Sequence, residues 1–286
     1  MTRLTAFGQT DKGLVRAANE DAFVIADLVG GDLGNSVGRF EVGERGVLLA
    51  VSDGMGGHQA GEIASALVLE SLERSMAAQG ANEPPDALMA RATSQANRTV
   101  WEAARYPGRE KMGATLTALF IRNKTAHIAT VGDSRAYLLR NGVISQMSHD
   151  QSQVQLLVDR GVLTPEEAKH SIMRNIILQA MGLKPDVKIG LGRLELRQRD
   201  CFLLCSDGLS NKVEDDELRR VVLTSSSVQN AASALVALAN QRGGEDNVTV
   251  IVAGVSGDLP AIQADEPLSG SWSVLRQFDA MTDALS

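Results

Sequence analysis

Short apolar runs that begin or end at an aspartate recur along the chain. An apolar run bounded by glycine and small polar residues is typical of a buried strand. Three of these runs precede their aspartate, and a fourth, at residues 248–255, follows it. Because each aspartate would lie at the end of a strand, a folded sheet can bring them together. They are Asp53, Asp133, Asp207 and Asp246.

Helices and strands are predicted in separate groups rather than in strict alternation. Helical spacing of apolar residues predicts helices at about 61–79 and 86–105, and three strands follow within 114–139. Short links between these strands imply antiparallel pairing, because a parallel crossover needs about a dozen residues or more. The grouping favours two sheets packed face to face with helices outside. The later predicted elements are strands at 187–196 and 201–205 and helices at 214–223 and 228–242.

Two internal segments depart from this pattern. Residues 27–46 are rich in glycine and polar groups and are expected to form a surface loop. Residues 148–182 contain short helical stretches, one of them opened by a capping box at Thr164. This insertion is either a mobile flap that faces a substrate or a plain helical insertion.

The C-terminal residues 257–286 form an extension to a domain predicted to cover residues 1–256. Proline, serine and glycine mark a linker at the start of the extension. Apolar residues further on have the spacing of one face of a short amphipathic helix. That helix would dock on its own domain or on a partner, and its own domain is favoured. The apolar residues are Trp272, Leu275, Phe278, Met281 and Leu285.

Clustered aspartates have a direct chemical consequence. Ionised carboxylates that face one another repel, so the site either raises their pKa values or binds a cation. Oxygen ligands without a paired His or Cys favour Mg2+ or Mn2+ over Zn2+. Gly54, directly after Asp53, has no Cβ and lets its backbone carbonyl approach a metal closely. A single Asp-Gly unit is more simply a turn, but its repetition favours a two-metal hydrolytic centre.

A polar loop near the N-terminus has the residues to complete such a centre. It carries Arg16, followed by Glu20 and Asp21 and then by an apolar stretch. A guanidinium can hold a phosphate through two parallel hydrogen bonds, and an additional acid can join the metal pair. Taken alone, the segment fits a solvated loop equally well, so its assignment depends on the aspartates elsewhere.

Composition and charge narrow the class of protein. The chain has 286 residues, of which 44% are hydrophobic, enough for one large domain or two small ones. A net charge of −7 argues against general nucleic-acid binding and against a basic membrane-binding surface. No apolar run reaches transmembrane length and no secretion signal is visible, so a cytoplasmic monomer with reduced cysteines is expected.

Six motifs occur in the order found in one protein family, and through them the chain resembles bacterial metal-dependent (type 2C, PPM family) protein serine/threonine phosphatases. The resemblance covers about residues 5–255. It implies an α+β fold, a central β-sandwich of two antiparallel sheets flanked on both faces by pairs of antiparallel helices (four layers, αββα). The motifs are Arg16-x-x-Asn19-Glu20-Asp21-Ala22, Asp53-Gly54-Met55-Gly56-Gly57-His58, Gly113-Ala114-Thr115-Leu116, Gly132-Asp133-Ser134-Arg135, Ser206-Asp207-Gly208-Leu209 and Glu245-Asp246-Asn247-Val248-Thr249.

The resemblance also implies a set of metal ligands at one end of the sandwich. Asp53 would bridge two Mn2+ or Mg2+ ions. Asp207 and Asp246 would complete one ion, while Asp21 and the Gly54 carbonyl would serve the other, directly or through water. Which of the two ions is used in the cell is left open.

Further roles follow from the same resemblance. Glu20 is a ligand or a neighbour of the ligands, Asp133 would help to bind a third, weaker ion, and Arg16 would hold the substrate phosphate. Many eukaryotic members have a proton-donating His where this chain has Met55. A metal-bound water, at the Asp133 ion, is the hypothesised acid instead, with His58 a less favoured candidate.

The activity implied is hydrolysis of phosphoserine and phosphothreonine by a hydroxide that attacks phosphorus in line. The expected partners are phosphoprotein substrates and a bacterial Ser/Thr kinase that the enzyme opposes. Two alternatives stay open: an inactive module that binds phosphoproteins or metals without turnover, and a metallohydrolase for a small phosphate ester. The presence of Arg16 and all the expected acids disfavours the first, and the insertion at 148–182 disfavours the second.

Overall fold

Two antiparallel sheets form the centre of the fold in the computed structural model, which describes residues 1–28, 37–56, 59–78, 80, 83–262 and 272–278. The strands are β1 (Thr2–Asp11), β2 (Asp21–Asp27), β3 (Val37–Val42), β4 (Val47–Met55), β5 (Gly113–Ala114), β6 (Leu116–Arg122), β7 (Thr125–Val131), β8 (Arg135–Arg140), β9 (Val143–Gln146), β10 (Gly190–Glu195), β11 (Cys201–Cys205), β12 (Val248–Gly257) and β13 (Trp272–Arg276). Within the described residues, one sheet has the order β3-β1-β12-β11-β8-β9 and the other β13-β10-β7-β6-β4-β2, with β5 beside β4.

Helices cover the outer face of each sheet. The helices are α1 (Gln59–Ala77), α2 (Pro85–Ala103), α3 (Gln153–Asp159), α4 (Pro165–Lys169), α5 (Asp207–Ser210), α6 (Asp215–Thr224) and α7 (Val228–Gln241). The first two pack on the β4 sheet, and α7 packs on β1 and β12 of the other. The predicted α+β sandwich is therefore confirmed. None of the helices that the structure describes is both long enough and apolar enough to cross a bilayer.

Apolar side chains of the strands separate into layers by alternation. On β4, Leu48 and Ala50 face α1 and α2, whereas Leu49 and Val51 lie between the two sheets. Successive strand residues point to opposite faces, so a strand buried on both faces needs a continuous apolar run. A third apolar layer lies between the other sheet and the helices α6 and α7. Strand β4, which carries Asp53 near its end, is thereby packed on both faces.

The predicted loop at 27–46 is wrong in its second half. Residues Val37–Val42 form the edge strand β3, which pairs antiparallel with β1. Val37 and Glu41 are exposed and the intervening Gly38 is small, so the local pattern carries little sign of a strand. The pairing edge of β1 supplies the backbone hydrogen bonds that decide the structure. Residues 29–36 of the predicted loop lie outside the described residues.

The C-terminal extension contains a strand where a helix is predicted. Residues Trp272–Arg276 form β13 and pair with β10, and a Cβ at Gly192 would lie 2.7 Å from the Trp272 ring. Phe278 is buried. The open edge of β10 offers backbone partners to an extended segment, and this pairing overrides the helical spacing. The domain boundary at 256 and the flap assignment of 148–182 stay predictions, and residues 281 and 285 lie outside the described residues.

A buried ion pair links the end of β8 to the start of β11. Arg140 and Asp200 are 1% and 0% exposed and are joined by hydrogen bonds of 2.7 and 2.8 Å. Removing one partner leaves a buried charge without its counter-ion, so Asp200→Ala is expected to lower the free energy of unfolding by about 3–5 kcal/mol. Urea denaturation measures this. Asp258→Ala removes an exposed carboxylate and serves as the control, with a change below about 1 kcal/mol. A similarly small loss in Asp200→Ala would contradict the prediction.

Candidate metal centre

The ends of strands from both sheets, and the start of helix α5, meet at one cleft of about 280 Å³. Asp21 lies beside this cleft, and β2 and β4 pair so that its Cα is opposite that of Asp53. The structure thus brings together the residues predicted from the sequence to bind metal or phosphate. Those that line the cleft are Arg16, Glu20, Asp53, Gly54, Asp133, Asp207 and Asp246.

The backbone around Asp53 is closely packed. The amide N of Gly54 donates to the carbonyl O of Glu20 at 3.1 Å. A Cβ at Gly54 would lie 2.1 Å from the carbonyl O of Gly61 and 2.6 Å from that of Glu20. Only glycine allows the end of β4 to pass between these two backbone segments.

Hydroxyl groups connect the end of β4 to the loop that carries Asp133. Thr115 Oγ1 accepts a hydrogen bond from the amide N of Asp53 at 2.9 Å and lies 2.7 Å from the hydroxyl of Ser134. The amide N of Thr115 in turn donates to the carbonyl O of Asp53 at 2.8 Å. Thr115 therefore holds two of the candidate carboxylates in a fixed relation.

Asp207 and Asp246 enter the cleft from the other sheet. Asp207 begins α5, accepts a hydrogen bond from Asn211 Nδ2 at 3.0 Å and lies within hydrogen-bond reach of Asp53. Asp246 precedes β12 and accepts a hydrogen bond from Arg16 Nη2 at 2.7 Å. The Arg16 side chain is 51% exposed, so it reaches the cleft while one carboxylate orients it.

Asn247 braces the loop that carries Arg16 and Glu20. Its Oδ1 accepts a hydrogen bond from the amide N of Glu20 at 2.8 Å. Its Nδ2 donates to the carbonyl oxygens of Lys12 at 2.9 Å and Ala18 at 3.0 Å. The sequence places Asn247 in a motif but shows no role for it, because its partners are more than two hundred positions away.

Asp150 and Gln151 also support the site, although the sequence pattern suggests only the start of a helix there. Two nitrogens of Arg135, Nε and Nη2, donate to Asp150 Oδ2 at 2.9 and 2.7 Å. The amide N of Gly132 donates to Gln151 Oε1 at 2.8 Å, and the amide N of Gln151 donates back to the Gly132 carbonyl O at 2.9 Å. Both contacts hold the loop around Asp133 in place.

The insertion at 148–182 contributes directly to the cleft. Asn175 and Ile177 line it together with Arg16. The predicted capping box at Thr164 is present at the start of α4. Met55 also lines the cleft, whereas His58 lies outside the described residues.

Burial and mutual repulsion raise the pKa values of the carboxyl groups. Burial, with smaller contributions from Asp207 and Asp246, raises the pKa of Asp21 to about 7, although a hydrogen bond from Ser206 opposes the rise. Burial and then Asp246 raise the pKa of Asp207 to about 6. Burial, followed by repulsion from Asp21 and Asp207, holds the pKa of Asp53 well above its usual range. The cluster therefore resists full ionisation without a cation.

The donors in this cluster fit a hard divalent cation. The candidate side-chain ligands offer only oxygen, the donor that Mg2+ and Mn2+ prefer. Asp21 Oδ1 is buried and has no hydrogen-bond partner among the described residues, so it is an acceptor that a cation can satisfy. Among the described residues, no three His, Cys, Asp or Glu side chains stand close enough together, as the side chains are placed, to form a metal site by themselves.

The raised pKa values predict that stability of the metal-free protein falls as pH rises. Between about pH 4 and the folded-state values of about 7 and about 6, the folded chain binds more protons on Asp21 and Asp207 than the unfolded chain. We expect a loss of about 2 kcal/mol or more between about pH 5 and about pH 7.5. Stabilisation by Mn2+ should be greatest at the upper end, where ionised carboxylates are available.

Thermal denaturation across this pH range, with EDTA and with Mn2+, measures the effect. Asp21→Asn is the matched control, because it removes one titrating group and should flatten the slope in EDTA. Stability that rises with pH in EDTA, with the same slope in both proteins, would contradict the prediction.

The sequence profile described as Protein phosphatase 2C matches residues 36–241, well over half of the chain. The chain belongs to the protein phosphatase 2C family. This membership agrees with the motifs found at the ends of β4, β7, β11 and the start of β12.

Bacterial relatives of this protein phosphatase 2C family member cover most of its length. It is 39% identical over 251 residues to the serine/threonine protein phosphatase PstP of Mycobacterium tuberculosis. The aligned region covers 86% of this chain and 44% of PstP. It is 32% identical over 251 residues to the serine/threonine phosphatase stp of Listeria innocua, covering 85% and 93% of the two chains. The chain thus spans less than half of the mycobacterial relative.

Solved structures of the family have the same fold. The serine/threonine phosphatase Stp1 from Staphylococcus aureus superposes with a TM-score of 0.79 at 33% identity, over 88% of this chain and 95% of that one. The catalytic domain of PstP, in complex with two manganese ions, superposes with a TM-score of 0.76 at 36% identity, over 90% and 100%.

Proposed function

We propose that this chain is a metal-dependent protein serine/threonine phosphatase that opposes a bacterial Ser/Thr kinase. The observation that carries the proposal is the meeting of Asp21, Asp53, Asp207 and Asp246 beside Arg16 at one cleft. Family membership and the two manganese ions of the related PstP domain support it. The acidic net charge of −7 favours a protein substrate over nucleic acid. We place its action in the cytoplasm, as a monomer.

Five groups would hold the two Mn2+ or Mg2+ ions. Asp53, whose pKa is raised by burial and then by its carboxylate neighbours Asp21 and Asp207, would bridge both ions. Asp207 and Asp246, from the β12 sheet, would complete one, while Asp21 and the Gly54 carbonyl would complete the other. Asp21 is a better candidate for a direct ligand than Glu20, because its Oδ1 is buried without a hydrogen-bond partner among the described residues.

Two further acids lie around this set. Glu20 lines the cleft, and a Cβ at Gly61 would lie 2.7 Å from its carboxyl carbon, so it packs against the start of α1. It would act beside the ligands. Asp133 is buried, and the next residue, Ser134, contacts Thr115 through its hydroxyl group. Asp133 would help to hold a third, weaker ion.

Phosphate binding and charge control are the contributions of this chain to the reaction. When bound, divalent cations lower the pKa of coordinated water and so supply hydroxide for in-line attack at phosphorus near neutral pH. Arg16, oriented by Asp246, would donate to two phosphate oxygens and neutralise charge that develops in the transition state.

Release of phosphate from a phosphothreonine peptide by the purified protein tests the proposal. We expect release with added Mn2+ and none with EDTA. No release by folded protein at any Mn2+ or Mg2+ concentration would favour an inactive binding module. Hydrolysis of small phosphate esters without hydrolysis of phosphopeptides would favour a small-molecule enzyme.

Substitution of Asp133 tests the source of the proton for the leaving oxygen. The thioether of Met55 has no proton to donate, so we propose that water held near Asp133 supplies it. Asp133→Ala is expected to slow phosphopeptide hydrolysis at least about tenfold more than hydrolysis of an aryl phosphate, whose leaving group needs little protonation. Steady-state rates on both substrates measure the difference. Equal losses on the two would contradict the assignment.

A further inference from the structure

Exposed apolar side chains precede the guanidinium at the cleft. Leu14 and Val15 are 70% and 66% exposed, and Arg16 follows them directly. The amide N of Leu14 donates to the carbonyl O of Gly244 at 2.7 Å, two residues before Asp246 in the chain. This contact fixes the loop next to the carboxylate that orients the guanidinium.

A second exposed apolar segment lies on the insertion. Ile172 and Ile176 are 98% and 50% exposed, and Ile176 stands between Asn175 and Ile177, which line the cleft. The amide N of Gln153 donates to the carbonyl O of Ile176 at 2.8 Å, so the backbone of this segment is held in place. Single exposed apolar residues are common on protein surfaces, but each of these two segments also contributes a residue to the lining of the same polar cleft. We call Leu14, Val15, Ile172 and Ile176 the apolar rim.

We propose that the apolar rim binds apolar side chains that flank the phosphorylated residue of a protein substrate. This inference rests on the proposed phosphatase function. A phosphate that reaches Arg16 would bring its peptide close to both segments, because their neighbours Arg16, Asn175 and Ile177 line the cleft. An extended peptide advances about 3.3 Å per residue, so the neighbours within two or three positions of the phosphorylated residue would lie there.

The chemistry of the rim favours the same kind of occupant. Its four side chains carry no charge and no hydrogen-bonding group, so they offer nothing to replace the hydration of an acidic residue that flanks the phosphate. Contact between apolar rim and apolar peptide side chains removes apolar area from water on both partners. The rim therefore fits an extended phosphoprotein segment with apolar rather than acidic residues next to the phosphorylated position.

Two phosphothreonine peptides of equal charge test this inference. They differ only at the two positions on each side of the phosphothreonine, which are leucine and valine in one peptide and serine in the other. We expect kcat/KM of the Mn2+-loaded wild-type protein to be about fivefold to tenfold higher for the apolar peptide. The double variant Ile172→Ser with Ile176→Ser should lose most of this preference.

The double variant Leu14→Ser with Val15→Ser provides a second, independent measurement on the other segment. Leu223→Ser is the matched control, because Leu223 is 50% exposed on α6, outside the cleft lining. It should keep the wild-type ratio between the two peptides. The ratio, rather than the rate, is compared, so a general loss of activity in a variant does not imitate the effect.

The outcomes distinguish failure of the apolar rim from failure of the proposed phosphatase function. Hydrolysis of both peptides at equal rates by the wild type, or a ratio unchanged in both double variants, would overturn the role of the rim alone. A different result would assign the rim to a second copy of this chain instead. In that case the wild type would hydrolyse both peptides at equal rates and would form a dimer, and the double variant Ile172→Ser with Ile176→Ser would be a monomer. Hydrolysis of neither peptide would overturn the phosphatase function, and this inference with it.

Discussion

Asp53→Asn is expected to reduce phosphopeptide hydrolysis by about a thousandfold or more, because several kcal/mol of transition-state stabilisation depend on the ions it would bridge. The amide has nearly the shape of the carboxylate but carries no charge, so it would weaken binding of both ions at once. The backbone contacts between Asp53 and Thr115 do not involve the carboxylate and should hold the end of β4 unchanged.

Two measurements separate loss of metal from loss of fold. In EDTA, Asp53→Asn should be at least as stable as the wild type near neutral pH, because burial and repulsion already disfavour the ionised form of Asp53. With Mn2+, its melting temperature should rise much less than that of the wild type. Asp258→Asn, an exposed carboxylate outside the cleft, should match the wild type in both. Activity near wild type at saturating Mn2+ would show that Asp53 is not a shared ligand.

Arg16→Ala is expected to lower kcat/KM by about a hundredfold. Two hydrogen bonds from a guanidinium to phosphate would be lost, each worth about 1.5–3 kcal/mol, part of which water recovers. Arg16→Lys should recover part of the rate, because an ammonium keeps the charge but cannot donate in the fork geometry. Inhibition by inorganic phosphate should weaken in the same order.

Stability should change little in these Arg16 variants. The pair with Asp246 is half exposed on the arginine side, and pairs of this kind contribute about 1 kcal/mol or less. Arg98→Ala is the control, since Arg98 is an exposed arginine whose partner Asp186 lies 3.7 Å away, outside the cleft lining. An inhibition constant for phosphate that is equal in wild type and Arg16→Ala would remove Arg16 from the phosphate site.

The ends of the core strands could be predicted because their pattern is local. The apolar run before Asp53 requires burial on both faces, and the polar and glycine residues after it cannot continue the strand. The same holds for the run before Asp207 on β11. Long helices with clear apolar faces were predicted within a few residues of α1, α2 and α7. Short links between strands made the pairing antiparallel.

Edge strands could not be predicted in this way. The segment that forms β3 has a weak alternation, and the segment that forms β13 has helical spacing of its apolar residues. Each becomes a strand because an open sheet edge, from β1 or β10, offers hydrogen bonds to its backbone. Such an edge exists only after the rest of the sheet has formed.

The sequence by itself determined which residue types meet at the cleft, namely repeated strand-end aspartates and Arg16, and from these types we propose oxygen ligands and a phosphate clamp. Tertiary structure alone decided how these groups are held. The amide of Asn247 and the pair of Asp150 with Arg135 act through contacts with segments that are distant in the chain. Side-chain hydrogen bonds of this kind produce no periodic pattern in the sequence, because their geometry depends on how the two sheets pack rather than on neighbouring residues.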